Sequence, residues 1–177
     1  MAEDLQLARR KWFKTLEPVL PEEMIGLWRG SEIAADHPLD GVLENLAWFG
    51  KRFQPDLKAD GLLFQFTPGV LVPLEPAAFP IRLAIRLAPV GRTKLARAIF
   101  PHLQRALHAH GTTAMLTLRM VDGEETAAMV YDRQPIADYF RRIDETEVAG
   151  MMVVDDDERR YFFRLRKVDP SNPEVGV

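Results

Sequence analysis

Two predicted β-hairpins in the last third of the chain constrain its fold more than any other feature. Residues 112–121 and 125–132 lie on either side of an Asp-Gly pair, a dipeptide typical of tight hairpin turns. Residues 147–154 and 159–168 form the second hairpin across an acidic turn. Such hairpins join neighbouring antiparallel strands, so they do not fit a parallel sheet wound with helices. The sequence therefore predicts a mixed domain with an antiparallel sheet.

Apolar periodicity predicts helices and further strands around these hairpins. The segments with helical spacing of apolar side chains are 3–16, 38–50, 92–110 and 135–143. Pro101 lies within 92–110, so we expect a kink or two consecutive helices there. Residues 24–33 and 62–66 are predicted strands. In residues 81–88, Ile and Leu alternate with Arg and Ala, which favours a strand with Arg82 and Arg86 on its solvated face. A short helix is also compatible with this last pattern.

The composition is that of an ordinary soluble protein, and it argues against several classes of function. The net charge of -3 comes from 23 basic and 26 acidic residues without a basic block, so nucleic acid is not an expected partner. The absence of cysteine removes disulfides, thiolate catalysis and cysteine-ligated metals. The amino terminus lacks the apolar segment of a signal peptide, and no run approaches the ~18 apolar residues of a membrane helix. We therefore expect a cytoplasmic protein without stable membrane insertion.

A Gly-x-Trp-x-Gly pattern at residues 26–30 places a tryptophan between two glycines. Glycine on both sides allows close backbone approach, so the ring of Trp28 can lie across one end of a sheet or barrel. The ring face can then accept a cation from the predicted last strand, where the candidates are Arg164, Arg166 and Lys167. Such a contact would hold the first and last strands together. A core tryptophan beside two incidental glycines is the alternative.

The same motif carries a resemblance to known families. The segment GLWRGSEI followed by HPLDGVLENLAWFGKRF resembles the GXWXG-domain proteins, and MVYDRQPIADYFRRIDETEVAGMM with YFFRLRKV resembles the DUF4334 domain. The resemblance covers residues 22–54 and 112–168. The Gly-x-Trp pattern is also similar to that of the calycins, the lipocalin and fatty-acid-binding barrels. The resemblance implies a mainly β protein with helical additions (α+β), folded as a calycin-like antiparallel β-barrel or a strongly curled sheet.

These segments divide the chain into three predicted parts. Residues 1–18 form an N-terminal helix, residues 19–168 a single calycin-like domain, and residues 169–177 a flexible tail. No internal repeat, linker or low-complexity tract interrupts the domain. A chain of 177 residues is long enough to bury a conventional core.

Small and flexible apolar side chains in two predicted strands indicate an internal cavity. Residues 125–131 and 147–154 are apolar on both faces and rich in alanine and methionine. In a curled sheet, small inward residues leave volume that methionines line adaptably, and the helices at 38–50 and 92–110 can cover its mouth. A fully packed core is the alternative. The candidate ligand-binding residues are Trp48, Phe64, Phe66, Met115, Arg119, Met129, Tyr131 and Met151.

An amphipathic ligand in such a cavity would need a polar side chain to bind its polar end. An inward Arg119 beside the Tyr131 hydroxyl can bind a carboxylate, whereas an outward Arg119 in solvent is the alternative. The predicted function is therefore non-catalytic binding of a small hydrophobic or amphipathic molecule, fatty-acid-like, without a cofactor.

Two other functions stay open at this stage. The first is an enzyme, an isomerase or hydrolase, that uses Asp132, Asp138, Tyr131 or a histidine as acid–base groups. Asp132 and Asp144 flank the last predicted helix, so capping of that helix explains them as well. The second is an interaction module whose N-terminal helix docks a partner or a second copy, which would give a homodimer.

The histidines do not indicate a metal site. His108 and His110 lie two apart near a predicted helix end, where they face different directions and favour interaction with the helix dipole over joint ligation. His37 and His102 have no carboxylate at ligand spacing. Neither a phosphate-binding glycine loop nor a Gly-x-Ser-x-Gly elbow occurs, so we expect no metal and no catalytic nucleophile.

Overall fold

The computed structural model describes residues 2–171 and is mainly β, with 42% of these residues in strands or isolated bridges. The strands are β1 (Glu17–Pro18), β2 (Gly26–Ile33), β3 (Trp48–Phe53), β4 (Lys58–Thr67), β5 (Val70–Pro73), β6 (Ala114–Val121), β7 (Glu124–Tyr131), β8 (Ile136–Arg142), β9 (Glu147–Val154) and β10 (Arg160–Lys167). Eight of them close into an antiparallel barrel in the order β8, β7, β6, β4, β3, β2, β10 and β9, since β9 pairs again with β8. The short strands β1 and β5 pair with β8 and β4 outside this ring. The predicted antiparallel barrel is confirmed.

Helices cover one side and one end of the barrel. They are α1 (Ala2–Thr15), α2 (Val42–Asn45), α3 (Ile81–Arg86), α4 (Ala88–Gly91) and α5 (Lys94–Gln104). Helix α1 packs on the outside of β9 and β10, where the Phe13 and Phe162 rings meet edge-on with centroids 6.2 Å apart. Gln6 Nε2 fixes this helix by donating to the carbonyl oxygens of Ala35 and Arg160. The apolar face of α1 is therefore buried against the barrel.

Besides the segment 92–110, which is described below, three segments fold differently from the sequence-based predictions. The segment 81–88 contains helix α3, because Ile81 and Ala84 lie on one helical face that packs against the interior cluster. The segment 135–143 forms strand β8, whose two faces are both largely buried, so no alternation with polar residues marks it as a strand. The segment 38–50 is reduced to the single turn α2, because β3 already begins at its end. Of the predicted tail, residues 172–177 lie outside the described residues.

The first strand of the ring, β2, pairs directly with the last strand of the chain, β10. Their register places Lys167 opposite Trp28, and Lys167 Nζ lies 5.4 Å from the centroid of the indole ring. The indole Nε1 donates to a backbone carbonyl of the preceding 3-10 turn at 2.6 Å. Arg164 and Arg166 alternate onto the outer face, where both form ion pairs with Glu147. The cation over the indole is thus Lys167 rather than either arginine.

The loop after β2 buries a histidine. His37 is 3% exposed, its Nδ1 accepts a hydrogen bond from the Leu39 N–H at 3.1 Å, and its ring packs edge-on against Tyr161. Burial lowers the pKa of His37 from 6.5 to about 4; the Arg159 charge adds to this effect, and Asp157 opposes it. The folded protein therefore holds His37 neutral.

This burial predicts a loss of stability in mild acid. The pKa of His37 is lower in the folded than in the unfolded chain, so the unfolded chain takes up the proton first and stability falls as pH drops from about 6.5 towards 4. We expect roughly 3 kcal/mol less free energy of unfolding at pH 4 than at pH 7 from this group, measured by urea denaturation. In His37→Asn, whose side-chain oxygen can replace Nδ1 as acceptor, the drop should shrink by that amount. An equal drop in both proteins would contradict the assignment.

Candidate functional site

Helices α2–α5 cover one end of the barrel. Asn45 Nδ2 links α2 to the following helices by donating to the carbonyl oxygens of Gly91 at 2.8 Å and Thr93 at 3.1 Å. The Thr93 hydroxyl caps α5 by accepting from the Ala96 N–H. The segment predicted to be helical at 92–110 forms the single helix α5, which contains Pro101 and is shorter than predicted. We call residues 81–105, which contain α3, α4 and α5, the helical cap.

Beneath the helical cap lies an apolar pocket with a volume of about 450 Å³. The barrel side of its lining includes Leu62, Phe64, Leu74, Ile136 and Met152, and the cap side includes Ile81, Ala84, Ala88 and Phe100. Polar side chains contribute little to this lining, and they come from Glu75, Tyr131 and Gln134. A pocket of this size and character is typical of sites for small apolar molecules.

Next to this pocket, inside the barrel, is a buried polar cluster of Lys51, Tyr131 and Asp138. Lys51 Nζ lies 2.8 Å from Asp138 Oδ2, and the two side chains are only 3% and 1% exposed. Lys51 Nζ also donates to the Gly61 carbonyl oxygen at 2.9 Å and to the Tyr131 hydroxyl at 3.2 Å. Tyr131 belongs to both features, since it lines the pocket and its hydroxyl lies in the cluster.

The cluster has unused hydrogen-bonding capacity. Among the described residues, two buried side-chain atoms here have no hydrogen-bond partner, Asp138 Oδ1 and Trp48 Nε1. Each buried polar atom left in this state costs about 1–3 kcal/mol. The Tyr131 hydroxyl has only long contacts as a donor, 3.3 Å to the Gly61 carbonyl and 3.5 Å to Asp138 Oδ2. The cluster and its neighbour Trp48 therefore leave two buried polar atoms without a partner and one donor with only long contacts.

The Tyr131 hydroxyl keeps its proton at physiological pH. Burial raises the pKa of Tyr131 well above 10, and the neighbouring Asp138 carboxylate adds to this rise. Tyr131 is therefore a hydrogen-bond donor at the boundary between the cluster and the pocket.

Three aromatic rings surround the lysine of the cluster. The Nζ of Lys51 lies 5.8, 5.6 and 5.0 Å from the ring centroids of Trp48, Tyr131 and Phe163. Ring faces attract a cation, so they help to hold the ammonium group away from water. Lys51 is thus held by one carboxylate, one carbonyl and three rings.

Glycines make room for these rings. A Cβ atom on Gly30, the second glycine of the Gly-x-Trp-x-Gly motif, would lie 2.3 Å from the ring of Trp48. Gly61 and Gly150 leave the same kind of space for the other two rings. Position 30 of the motif is therefore a glycine because the ring of Trp48 fills the space that a side chain at this position would need.

Irregular pairing between β3 and β4 brings Lys51 into the interior. The register shifts at Gly50, where φ is +150°, as in a β-bulge. Trp48 and Lys51 consequently both point into the barrel although they are three residues apart, and Phe49 lies outside beneath the Arg29 guanidinium. Regular alternation would place Trp48 and Lys51 on opposite faces.

Two family models match the chain, one described as GXWXG protein over residues 11–69 and one as domain of unknown function (DUF4334) over residues 112–167. The chain thus carries a GXWXG region followed by a DUF4334 region. A protein from Thermomonospora curvata with a crystal structure is 26% identical and superimposes with a TM-score of 0.66, over 93% of this chain and 88% of that chain. A comparison with curated proteins gives no match.

The polar cluster joins the two matched regions of the chain. Lys51 comes from the GXWXG region, whereas Tyr131 and Asp138 come from the DUF4334 region. Neither region alone contains the ion pair. The two matched regions thus build one site together.

Four of the predicted ligand-binding residues lie inside the barrel. Phe64 and Tyr131 line the pocket. Trp48 and Met129 are buried in the interior cluster that packs around it. The sequence-based prediction missed Lys51 and placed Asp138 only among possible acid–base groups.

The other four predicted ligand-binding residues lie elsewhere. Phe66 is half-buried beneath the Arg105 guanidinium, and Met151 packs under α1 on the outer face. Met115 and Arg119 are exposed on the outer face of β6, because inward positions of this strand are taken by the alternate residues. The β6–β7 register puts Arg119 near the turn and away from Tyr131, so the predicted carboxylate-binding pair does not form.

The remaining acidic and histidine candidates lie outside the apolar pocket. Asp132, His108 and His110 line a separate polar cleft of about 380 Å³. Asp144 accepts backbone hydrogen bonds in the β8–β9 turn, so with β8 a strand neither Asp132 nor Asp144 caps a helix. No group of three or more His, Asp or Glu suited to a metal occurs within 2–171. In the same part of the chain, no helix has the length and apolarity needed to cross a membrane.

Proposed function

We propose that the protein binds a small apolar molecule with one neutral hydrogen-bonding group, such as a hydroxyl, in the pocket beneath the helical cap. The observation that carries the proposal is the junction of the apolar pocket with the buried polar cluster at Tyr131. The apolar walls would hold the body of the ligand through the hydrophobic effect. The cluster would hold its polar end.

The free hydrogen-bonding groups favour a neutral polar end over a carboxylate. A hydroxyl can accept from the Tyr131 hydroxyl or Trp48 Nε1 and donate to Asp138 Oδ1. A carboxylate cannot donate, and it would meet the negative charge of Asp138 while the charge of Lys51 is already compensated. Arg119, the predicted carboxylate partner, lies on the outer face. The ligand class is therefore an apolar alcohol rather than a fatty acid.

A matched ligand series tests the proposal. Dodecan-1-ol, dodecanoate and dodecane share one chain and differ only at one end, and each competes with an environment-sensitive dye for the pocket. We expect the alcohol to bind about tenfold tighter than the alkane or the carboxylate at pH 7, from one well-formed buried hydrogen bond. No displacement by any of the three would contradict ligand binding. Tightest binding by dodecanoate would contradict the neutral polar end alone.

Replacing Tyr131 with phenylalanine should remove this preference. The variant keeps the ring but loses the donor, so we expect the affinity for dodecan-1-ol to fall about tenfold and that for dodecane to stay unchanged. Tyr139→Phe is the matched control, because Tyr139 lies on the outer face of β8 near the cluster beneath α1. An equal loss in both variants would show that Tyr131 does not contact the ligand.

An acid–base isomerase is a second candidate, favoured by one observation. The Asp138 carboxylate is buried beside the Tyr131 hydroxyl, and its Oδ1 has no partner among the described residues. Such a pair can remove and return a proton on a bound apolar substrate. The test is to identify by native mass spectrometry the molecule that co-purifies from the host, and to incubate it with the protein in deuterated water. Deuterium uptake that is lost in Asp138→Asn would favour the enzyme; recovery of unlabelled ligand favours binding alone.

A further inference from the structure

The helical cap differs in charge from the rest of the molecule. Residues 81–105 contain six of the 23 basic residues and none of the 26 acidic ones, so the cap carries +6 and the remainder of the chain -9. The six residues are Arg82, Arg86, Arg92, Lys94, Arg97 and Arg105. All six are exposed. Because no two of them are adjacent in sequence, they do not form a basic block.

Apolar side chains are exposed between these basic residues. Of the 13 exposed large apolar side chains among the described residues, six lie in the cap, namely Leu83, Leu87, Val90, Leu95, Ile99 and Leu103. Leu95, at 67% exposure, is the most exposed of the thirteen. Exposed large apolar side chains concentrated in one segment indicate an interaction site more than scattered ones do.

The exposed apolar side chains also border the pocket. Leu87, Val90, Leu95, Ile99 and Leu103 are part of the pocket lining. The side chains that an approaching surface would touch are therefore those that separate the pocket from solvent. A partner on this face would lie directly against side chains that line the pocket.

We infer that the helical cap docks on an anionic lipid surface, with its apolar side chains inserted among the acyl chains and its basic residues on the headgroups. Basic and apolar side chains interleaved on short helices are typical of helices that lie in a membrane interface. Arg86, Lys94 and Arg97 have no acidic partner within 4.0 Å in the described part of the chain, so they are available to lipid phosphates. Docking in this way would let an apolar ligand pass between the bilayer and the pocket without crossing water.

Charge favours a lipid surface over the other possible occupants. A second copy of the chain would place one +6 cap against another, which costs electrostatic free energy. A nucleic acid would engage the basic residues but leave the apolar side chains exposed. An anionic bilayer satisfies both sets of side chains at once.

Co-sedimentation with lipid vesicles tests the inference. We expect the full chain to bind vesicles of phosphatidylcholine with about one third phosphatidylglycerol and to bind pure phosphatidylcholine far more weakly, since each basic residue near an anionic surface contributes about fivefold in affinity. Raising the salt concentration to about 1 M should release most of the protein, because it shortens the screening length to about 3 Å. Equal binding to both vesicle types would overturn the inference.

Two triple variants distinguish the effect of the basic residues in the cap from the effect of the net charge of the protein. Arg86→Glu/Lys94→Glu/Arg97→Glu should weaken anionic vesicle binding by roughly 100-fold or more, the product of three such contributions. Arg10→Glu/Lys11→Glu/Arg119→Glu changes the net charge equally at exposed positions outside the cap and should have little effect. Leu95→Ser should weaken binding without changing charge. An equal loss in both triple variants would overturn a role for the cap.

The other occupants give distinct outcomes. A dimer in solution that loses its association in Leu95→Ser, without vesicle binding, would replace the lipid surface by a second copy. Retention on double-stranded DNA without vesicle binding would replace it by nucleic acid. Dye displacement in free solution tests the pocket separately, so vesicle binding and ligand binding can fail independently.

Discussion

Replacing Lys51 with methionine is expected to lower the free energy of unfolding by about 3–5 kcal/mol, because it leaves the Asp138 carboxylate buried without its cation. The partner atom is 2.8 Å away, and both side chains are almost completely shielded from water. Chemical denaturation followed by tryptophan fluorescence measures the change. A loss below about 1 kcal/mol would show that water or another group satisfies the carboxylate, against the buried cluster described above.

The double variant Lys51→Met/Asp138→Leu is the matched control. Removal of both charges removes the penalty of the unpaired carboxylate, and a buried ion pair can often be replaced by apolar residues without loss. We therefore expect the double variant to recover most of the stability that the single variant loses. If the cluster serves ligand recognition, the double variant should fold and still lose its preference for the alcohol. A double variant as unstable as the single one would show that the unpaired Asp138 carboxylate does not cause the loss of stability.

Alanine at Gly50 is expected to destabilise the protein by about 3 kcal/mol or more, from backbone strain and overpacking together. A Cβ at this position would lie 2.0 Å from the carbonyl oxygen of Trp28, and φ is +150°, in a region that side-chain-bearing residues rarely adopt. The contact is with backbone, so a rotamer change cannot relieve it. The expected result is an unfolded or strongly weakened barrel, measured by thermal and chemical denaturation.

Gly111→Ala provides the control for that substitution. A Cβ on Gly111 meets no atom within 4 Å. We expect its effect to stay within about 0.5 kcal/mol, as for ordinary surface substitutions. If Gly50→Ala lowered the free energy of unfolding as little as Gly111→Ala, this result would contradict the close approach of β2 and β3 at the bulge.

The hairpins and the family motifs were sufficient to predict the barrel. Strands β6, β7, β9 and β10 match the predicted hairpins within two residues at each end. Their signals are local, since turn residues and alternation are properties of neighbouring positions. The closure of the ring required the resemblance to known barrels, because pairing of β2 with β10 is not a local property.

In two segments, the periodicity of apolar residues did not predict the secondary structure correctly. In residues 81–88, apolar side chains fit both a two-residue and a helical period, and packing over the pocket selects the helix. In residues 135–143, Ile136 and Phe140 fit one helical face, yet both also point inward from β8. Helix α1 and strand β1 cover parts of the outer surface of the barrel, which removes the polar alternation that usually identifies a strand.

The site was harder to predict than the fold. Tyr131 and Phe64 could be predicted as inward-facing aromatic residues because they lie on predicted strands. The inward position of Lys51 could not be predicted, because it depends on the bulge at Gly50. Asp138 was the one residue whose sequence context indicated the polar cluster, since a carboxylate within an apolar segment must be paired if it is buried. Finding its partner would have required the long-range pairing of β3, β4, β7 and β8.

The order of strands in the ring also constrains how the chain can be made. Among the strands of the ring, β10 is the last to leave the ribosome, and it completes the ring by pairing with both β2 and β9. Until its residues 160–167 emerge, the nascent sheet has two open edges and an uncovered apolar interior, a state prone to pair with other chains. Closure of the barrel must therefore wait for residues 160–167, and its slowest contacts join β2 with β10, which are far apart in sequence.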